Sequence, residues 1–253
     1  MLILPRRLVS GERATLAVLD VSGRLTPGVN LIFSNGDKVT TDATGRARFV
    51  APLTPGPIFA TIEGRAGRVS SAILAAGELS SATLEIGGVP RVASLSDRLE
   101  IVGQGFCGDA DANQVKFSGA PGLVLASSPG YLAVLPPAEL LPGAARVEVS
   151  CGQRSSAAFT VVFVTLELEA GSASLAPGEH RVLTVRVKGS TAKIQLEARN
   201  LAADVAELQS GVNVRTLSSG GAENVAHFEL VGKQRGNFVI SMRLVSPSSA
   251  PRF

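Results

Sequence analysis

The sequence predicts an all-β protein built from three antiparallel β-sandwich modules in tandem. Apolar and polar residues alternate with period two along most of the chain, which places alternate side chains on one face of a strand. Turn residues interrupt this alternation roughly every 8–12 residues, the spacing typical of sandwiches and barrels. The composition agrees, because 27 glycines and 14 prolines supply many turns and 45% hydrophobic residues supply the cores.

The alternation is clearest in the first third of the chain. Leu31 and Phe33 alternate with their neighbours, and the Asn-Gly pair at 35–36 favours a hairpin turn because both residue types tolerate positive φ. The chain returns and turns again at 43–45. Two short helices are also expected, one turn over 136–141 and a second over 201–208 capped by Asn200.

Two weakly marked junctions divide the chain into modules at 1–82, 83–162 and 163–253. The first junction lies in the small-residue stretch 75–90. The second lies near 162–165, inside a run that lacks glycine and proline. Because such a run is not a flexible linker, we expect a stiff junction there.

The second module, at 88–162, resembles an IPT/TIG domain, an immunoglobulin-like sandwich. The residues that carry the resemblance are LEIVGQGF at 99–106, NQVKFSG at 113–119, LAVLPP at 132–137 and GAARVEV at 143–149. Their order and spacing match the family over the whole module. The resemblance implies a fold of paired antiparallel sheets and brings no catalytic residue set.

The first module, over 8–74, resembles a bacterial immunoglobulin-like or carboxypeptidase-regulatory-like module through the segment TDATGRARF at 41–49. Residues 163–253 resemble no family, and alternation alone predicts their sandwich. The two resemblances and the alternation in the third module together predict three tandem immunoglobulin-like domains. The resemblances imply modules that act as spacers, adhesion elements or accessory binding units. A shared fold cannot choose among these roles.

Charge and hydropathy exclude two classes of function. The net charge is +3, and the second module carries five basic and seven acidic side chains, so we expect no nucleic-acid surface. No apolar run reaches the roughly 18 residues that a membrane-spanning helix needs. We expect an exported protein, located outside the cell, on its surface or in the periplasm, with any signal peptide outside these 253 residues.

Residues 103–108 fit the pattern G-x-G-x-x-G. A dinucleotide site needs that pattern to follow a strand and open a helix, so that the helix N-terminus meets the pyrophosphate. Here a polar loop and another strand follow. The sequence therefore favours a structural role for these glycines and predicts no cofactor.

Asp109, Asp111 and Asn113 begin like a calcium loop. The complete pattern requires glycine next and a bidentate glutamate at the twelfth position, which Gln114 and Ala120 occupy here. A solvated loop is the first interpretation, and a partial surface calcium site is the alternative.

Cys107 and Cys151 are the only cysteines, and each follows the end of a predicted strand. They either pair or remain two reduced thiols, and we favour the disulfide. The chain-entropy model gives such a bridge about 4 kcal/mol of stabilisation, and it would indicate an oxidising compartment.

No catalytic site is predicted. His180 and His227 lack companion residues, and the sequence contains no G-x-S-x-G nucleophile motif. A sugar platform lacks aromatic residues, because the chain has no tryptophan and its one tyrosine, Tyr131, lies in a predicted strand. The sequence thus predicts a monomeric, non-enzymatic structural or adhesion spacer. The alternative is an accessory module that binds a protein or glycan.

Overall fold

The protein is all-β, as the sequence predicts. The structure is a computed structural model that describes residues 1–79, 82–169, 175–209 and 212–245. Besides one short 3-10 helix at Ala110–Ala112, its strands are β1 (Leu2–Ile3), β2 (Arg7–Val9), β3 (Arg13–Val18), β4 (Asn30–Phe33), β5 (Lys38–Thr40), β6 (Arg46–Val50), β7 (Gly56–Ile62), β8 (Val69–Leu74), β9 (Glu85–Gly88), β10 (Val92–Ser94), β11 (Leu99–Gln104), β12 (Asn113–Phe117), β13 (Ala120–Pro121), β14 (Leu123–Ser128), β15 (Tyr131–Leu135), β16 (Gly143–Cys151), β17 (Arg154–Ser155), β18 (Phe159–Glu169), β19 (His180–Lys188), β20 (Gln195–Asn200), β21 (Ala206–Leu208), β22 (Val214–Ser218), β23 (Val225–Gly232) and β24 (Ile240–Leu244).

Contacts divide the described chain into two compact units. The first comprises 1–90, 98–140 and 146–160, and the second comprises 91–97, 141–145 and 161–253. The first unit thus includes most of two of the predicted modules. The division into three tandem domains is not confirmed.

Two sheets build the amino-terminal part of the first unit. A five-stranded sheet has the order β2-β8-β7-β4-β5. A seven-stranded sheet has the order β1-β3-β14-β15-β11-β9, and its seventh strand, β6, also pairs with β3. Apolar side chains from both sheets meet between them, as alternation requires. The fully buried members of this core include Leu8, Leu16, Leu31 and Ala60.

The seven-stranded sheet joins strands from both sides of the predicted 82/83 boundary. Thr15 of β3 lies opposite Ser127 of β14 in an antiparallel pair. A second apolar cluster forms around this joint, with Ala17 and Leu19 packed beside Leu125 and Tyr131. The first two predicted modules therefore share a sheet and a core cluster.

The predicted hairpins are present, and one has a different turn from that expected. Gly36 has φ of 94°, but Asn35 stays outside the left-handed region, and the amide of Gly36 donates to the carbonyl of Phe33. The loop over 34–36 is therefore a turn followed by a left-handed glycine, the common three-residue hairpin. The turn at 43–45 likewise ends on Gly45, at φ of 74°.

The second unit contains strands β18-β19-β23-β21 in one sheet and β22-β20-β24 in another. Strand β10 adds to β18 in parallel. Its core contains Val185, Leu196, Phe228 and Leu230, each almost completely buried. The alternation predicted for 183–187 is confirmed, because Val185 and Val187 lie in this core.

Both helix predictions are wrong. Asn200 ends strand β20, and its side chain accepts from the amide of Ala202 and donates to the carbonyl of Ala206, which closes a turn. Its capping chemistry was recognised, but the segment after it continues into strand β21. Residues 136–141 form a turn in which Leu140 donates to Pro137. No helix among the described residues has the length and apolar character to span a membrane.

We predict that Gly45→Ala destabilises the protein far more than Gly23→Ala. Both glycines have positive φ, 74° and 77°, so each alanine brings left-handed strain of about 1–2 kcal/mol. A Cβ at Gly45 would also lie 2.6 Å from the backbone nitrogen of Thr26, whereas a Cβ at Gly23 meets no atom within 4 Å.

The expected loss is about 3 kcal/mol or more for Gly45→Ala, because backbone must move, and about 1 kcal/mol for Gly23→Ala. Urea unfolding of the two variants measures the difference. Equal midpoints would show that the approach of the 43–45 turn to Thr26 does not constrain the fold.

Candidate functional site

The G-x-G-x-x-G segment begins at the end of β11 and continues into the loop before β12, and close backbone packing accounts for its three glycines. A Cβ at Gly103 would lie 2.1 Å from the carbonyl oxygen of Glu85. At Gly105 it would lie 1.9 Å from that of Thr83, and at Gly108 it would lie 2.0 Å from that of Arg13. The helix that follows has only three residues. The segment therefore packs neighbouring strands together.

Asn113 connects this loop to the sheets and is 6% exposed. Its Oδ1 accepts from the amide of Cys107 at 3.0 Å. Its Nδ2 shares its two hydrogens among the carbonyl oxygens of Cys107 and Asp109, each at 2.8 Å, and Ser127 Oγ at 2.9 Å. In the alternative interpretation of the loop, Asn113 is a calcium ligand. Its amide instead makes hydrogen bonds to the loop's own backbone.

Cys107 and Cys151 form a disulfide whose Cα atoms are 5.8 Å apart. Cys151 lies opposite Asn113 in the β12–β16 register. The covalent bond and the Asn113 hydrogen bonds therefore converge on the same loop. The cross-link spans 44 positions of the chain.

Asp109 and Asp111 face two arginines of strand β6. Asp111 Oδ1 lies 2.7 Å from Arg46 Nη1, and Arg48 contacts both carboxylates, at 3.2 Å for Asp109 and 3.1 Å for Asp111. The Arg46 side chain is only 8% exposed, so Asp111 neutralises a charge that has lost most of its water. These contacts use the carboxylate oxygens that a cation would require. Among the described residues no cluster of three or more acidic, histidine or cysteine side chains could hold a metal ion.

Thr15 completes the connection between the loop and strand β3. Its Oγ1 donates to the carbonyl of Gly108 at 2.9 Å and accepts from the amide of Ala110 at 3.1 Å. Sequence reasoning did not identify Thr15, Arg46 or Arg48. Each lies in a short strand with no motif of its own, and only the two arginines on one face of β6 gave a local signal.

The other candidate residues lie apart from this loop. His180 Nδ1 is 2.7 Å from Glu229 Oε1, and His227 Nδ1 is 3.1 Å from Thr184 Oγ1, all on the exposed face of the second unit's larger sheet. Tyr131 is 1% exposed, and burial raises the pKa of its hydroxyl, with the carboxylate of Glu100 adding to the effect. Tyr131 is therefore a core residue.

Comparisons with known proteins identify no family. No family model matches the chain, and no curated protein matches it. Among solved structures, SGBP-B of the Bacteroides ovatus mixed-linkage glucan utilization locus, in complex with a mixed-linkage heptasaccharide, shares 9% identity over 94% of this chain and 73% of that chain, with a TM-score of 0.34.

Two other solved structures are similar at the same low level. An S-layer protein, rSbsC(31-844), shares 13% identity over 91% of this chain and 36% of that chain, with a TM-score of 0.25. The plexin A4 extracellular region shares 11% identity over 97% of this chain and 32% of that chain, with a TM-score of 0.35. At such scores the likenesses carry no argument about function.

We predict that Asn113→Ala destabilises the protein by about 3 kcal/mol, because it leaves the Cys107 amide without its partner and removes the hydrogen bonds of Asn113 Nδ2 to the loop. Gln114→Ala is the matched control, since Gln114 is the next residue on β12 and its side chain is exposed. We expect it to change stability by less than about 0.5 kcal/mol. Chemical denaturation of both variants tests this, and equal midpoints would contradict the role assigned to Asn113.

Proposed function

We propose that this chain is a non-enzymatic structural or adhesion spacer of an exported bacterial protein. The observation that carries the proposal is the Cys107–Cys151 disulfide, which anchors the loop between β11 and β12. This loop makes hydrogen bonds to Thr15 of β3 and Ser127 of β14. Disulfides form and persist in oxidising compartments. The disulfide therefore supports the proposed extracellular, cell-surface or periplasmic location.

The contacts that connect residues 1–82 with the rest of the first unit support a mechanical role. A shared sheet, an apolar cluster and the contacts of Arg46 and Arg48 with Asp109 and Asp111 connect residues 1–82 with the residues that follow. Each kind of contact resists rotation of one part against the other. We propose that the first unit behaves as one stiff element. We also propose that its strands belong to the immunoglobulin-like and IPT/TIG modules that the sequence predicts.

The surface of the second unit also suits a spacer. Lys188 pairs with Glu167 at 2.7 Å, and Arg186 pairs with Glu169 at 2.6 Å and Glu223 at 3.0 Å. Hydrogen bonding to Glu169 and the charge of Glu223 raise the pKa of Arg186. Exposed pairs contribute little stability. They cover an outward sheet face with mutually neutralised charge.

The alternative function is an accessory module that binds a protein or glycan. An open groove beside Arg65 and Arg68 favours this alternative. The only tyrosine is buried and the chain has no tryptophan, so the usual aromatic surface for a sugar is missing.

The disulfide provides the test of the proposed location and role. We expect the chain, exported to a bacterial periplasm by an added leader, to show no free thiols when it is denatured without reductant. We also expect Cys107→Ser/Cys151→Ser to unfold with about 4 kcal/mol less stability, as the chain-entropy model gives for this loop. Thiol labelling and urea unfolding measure the two effects.

Function as a spacer is tested by display between a surface anchor and a reporter epitope. We expect the wild-type chain to keep the epitope accessible and to resist added protease, and the double cysteine variant to be cleaved sooner. Two free thiols after export, or catalytic turnover of a substrate by the purified chain, would overturn the proposal.

A further inference from the structure

An open groove of about 530 Å³ lies on the outward face of the five-stranded sheet. Ile32 of β4 and Thr61 of β7 are cross-strand partners that form its floor. The loop over 63–68, between β7 and β8, forms one wall and carries Arg65 and Arg68. The groove lies entirely within the first unit.

Arg68 is held in place by an aromatic ring. Its guanidinium carbon lies 4.5 Å from the centroid of Phe59, the neighbouring outward-facing residue on β7. Stacking of this kind uses the face of the guanidinium and leaves its N–H groups at the edge. Arg68 is therefore oriented before any ligand arrives, which lowers the entropy that binding must overcome.

The nearest carboxylate does not neutralise the two arginines. Glu63 contacts Lys38 at 3.6 Å and accepts a hydrogen bond from Asn30 at 3.0 Å. Within the described part of the chain, no carboxylate forms an ion pair with Arg65 or Arg68. The groove is thus lined by two positive side chains, Arg65 and Arg68, and one carboxylate, Glu63, beside the largely apolar surface of Ile32 and Ile62.

We propose that this groove binds an acidic peptide segment in which two carboxylates flank an apolar side chain. Each carboxylate matches the planar fork of a guanidinium, from Arg65 and from Arg68, and the apolar side chain contacts Ile32. A glycan fits less well, because Arg68 already covers the ring of Phe59. This binding role goes beyond the spacer function and does not depend on it.

The test uses a fluorescein-labelled synthetic peptide in which two glutamates flank a leucine, titrated with the full chain at low ionic strength. We expect Arg65→Ala/Arg68→Ala to raise Kd about three- to tenfold, the effect of losing two exposed charge pairs. Arg24→Ala/Arg235→Ala is the control, since it removes the same charge at exposed sites outside the groove. We expect it to leave Kd unchanged.

Two further variants separate shaped recognition from diffuse attraction. Arg65→Lys/Arg68→Lys keeps the charge but removes the planar guanidinium fork. We expect its loss of binding free energy to be about half of that in the double alanine variant, or more. Phe59→Leu keeps both arginines but removes the ring beside Arg68, and we expect a smaller rise in Kd than in the double alanine variant. Circular dichroism confirms that each variant is folded.

Several outcomes would overturn the proposal. An unchanged Kd in the double alanine variant, or an equal loss in the control, would remove the groove as the binding site. Full affinity in the lysine variant would show that binding depends on net charge alone and not on the shape of the guanidinium groups. Tighter binding of an oligogalacturonate than of the peptide, lost in the same alanine variant, would assign the groove to acidic glycans.

Discussion

The first unit depends on one physical constraint, the need of the partly buried backbone over 105–113 for hydrogen-bond partners. This loop leaves the regular ladder of β11 before it enters β12, so its amides and carbonyls need other groups. The side chains of Asn113 and Thr15 supply them. A buried network of this kind is costly when incomplete and specific when complete. It therefore sets where the loop lies.

The position of the loop then determines the charges beside it. Asp109 and Asp111 are held opposite Arg46 and Arg48 because the backbone that carries them is already anchored. The disulfide joins the same loop to the end of β16. It reduces the number of conformations open to the unfolded chain and so favours the folded state, in which the network forms. Covalent, polar and ionic contacts thus act on one segment and connect two parts of the chain.

The arginines of this protein have two different environments. Arg46 and Arg186 contact carboxylates, and their charge is used within the fold. Arg65 and Arg68 face an open groove, and one of them is oriented by an aromatic ring instead of an acid. A positive net charge of +3 does not reveal this difference. The partners of each arginine side chain reveal it. They distinguish arginines that stabilise the fold from arginines that are available for binding.

Much of the local structure could be predicted from alternation and turn chemistry. The strands around Leu31 and Phe33, the glycine of the 43–45 turn and the inward side chains of β19 all follow from residues within a few positions of each other. The candidate loop was also located, from its cysteines and acidic residues. The helix expected after Asn200 failed because local hydrogen bonding by asparagine suits a turn between strands as well as a helix cap.

The sequence by itself determined the all-β class and the position of the 105–113 loop, because period-two alternation and turn preferences act between neighbouring residues. Only the tertiary structure decided the pairing of β3 with β14 and the partners of Asp109 and Asp111. Thr15 and Gly108 are 93 positions apart, and no local pattern records their contact. Such contacts arise when strands pack into sheets, where the unpaired backbone of one segment meets the side chains of another.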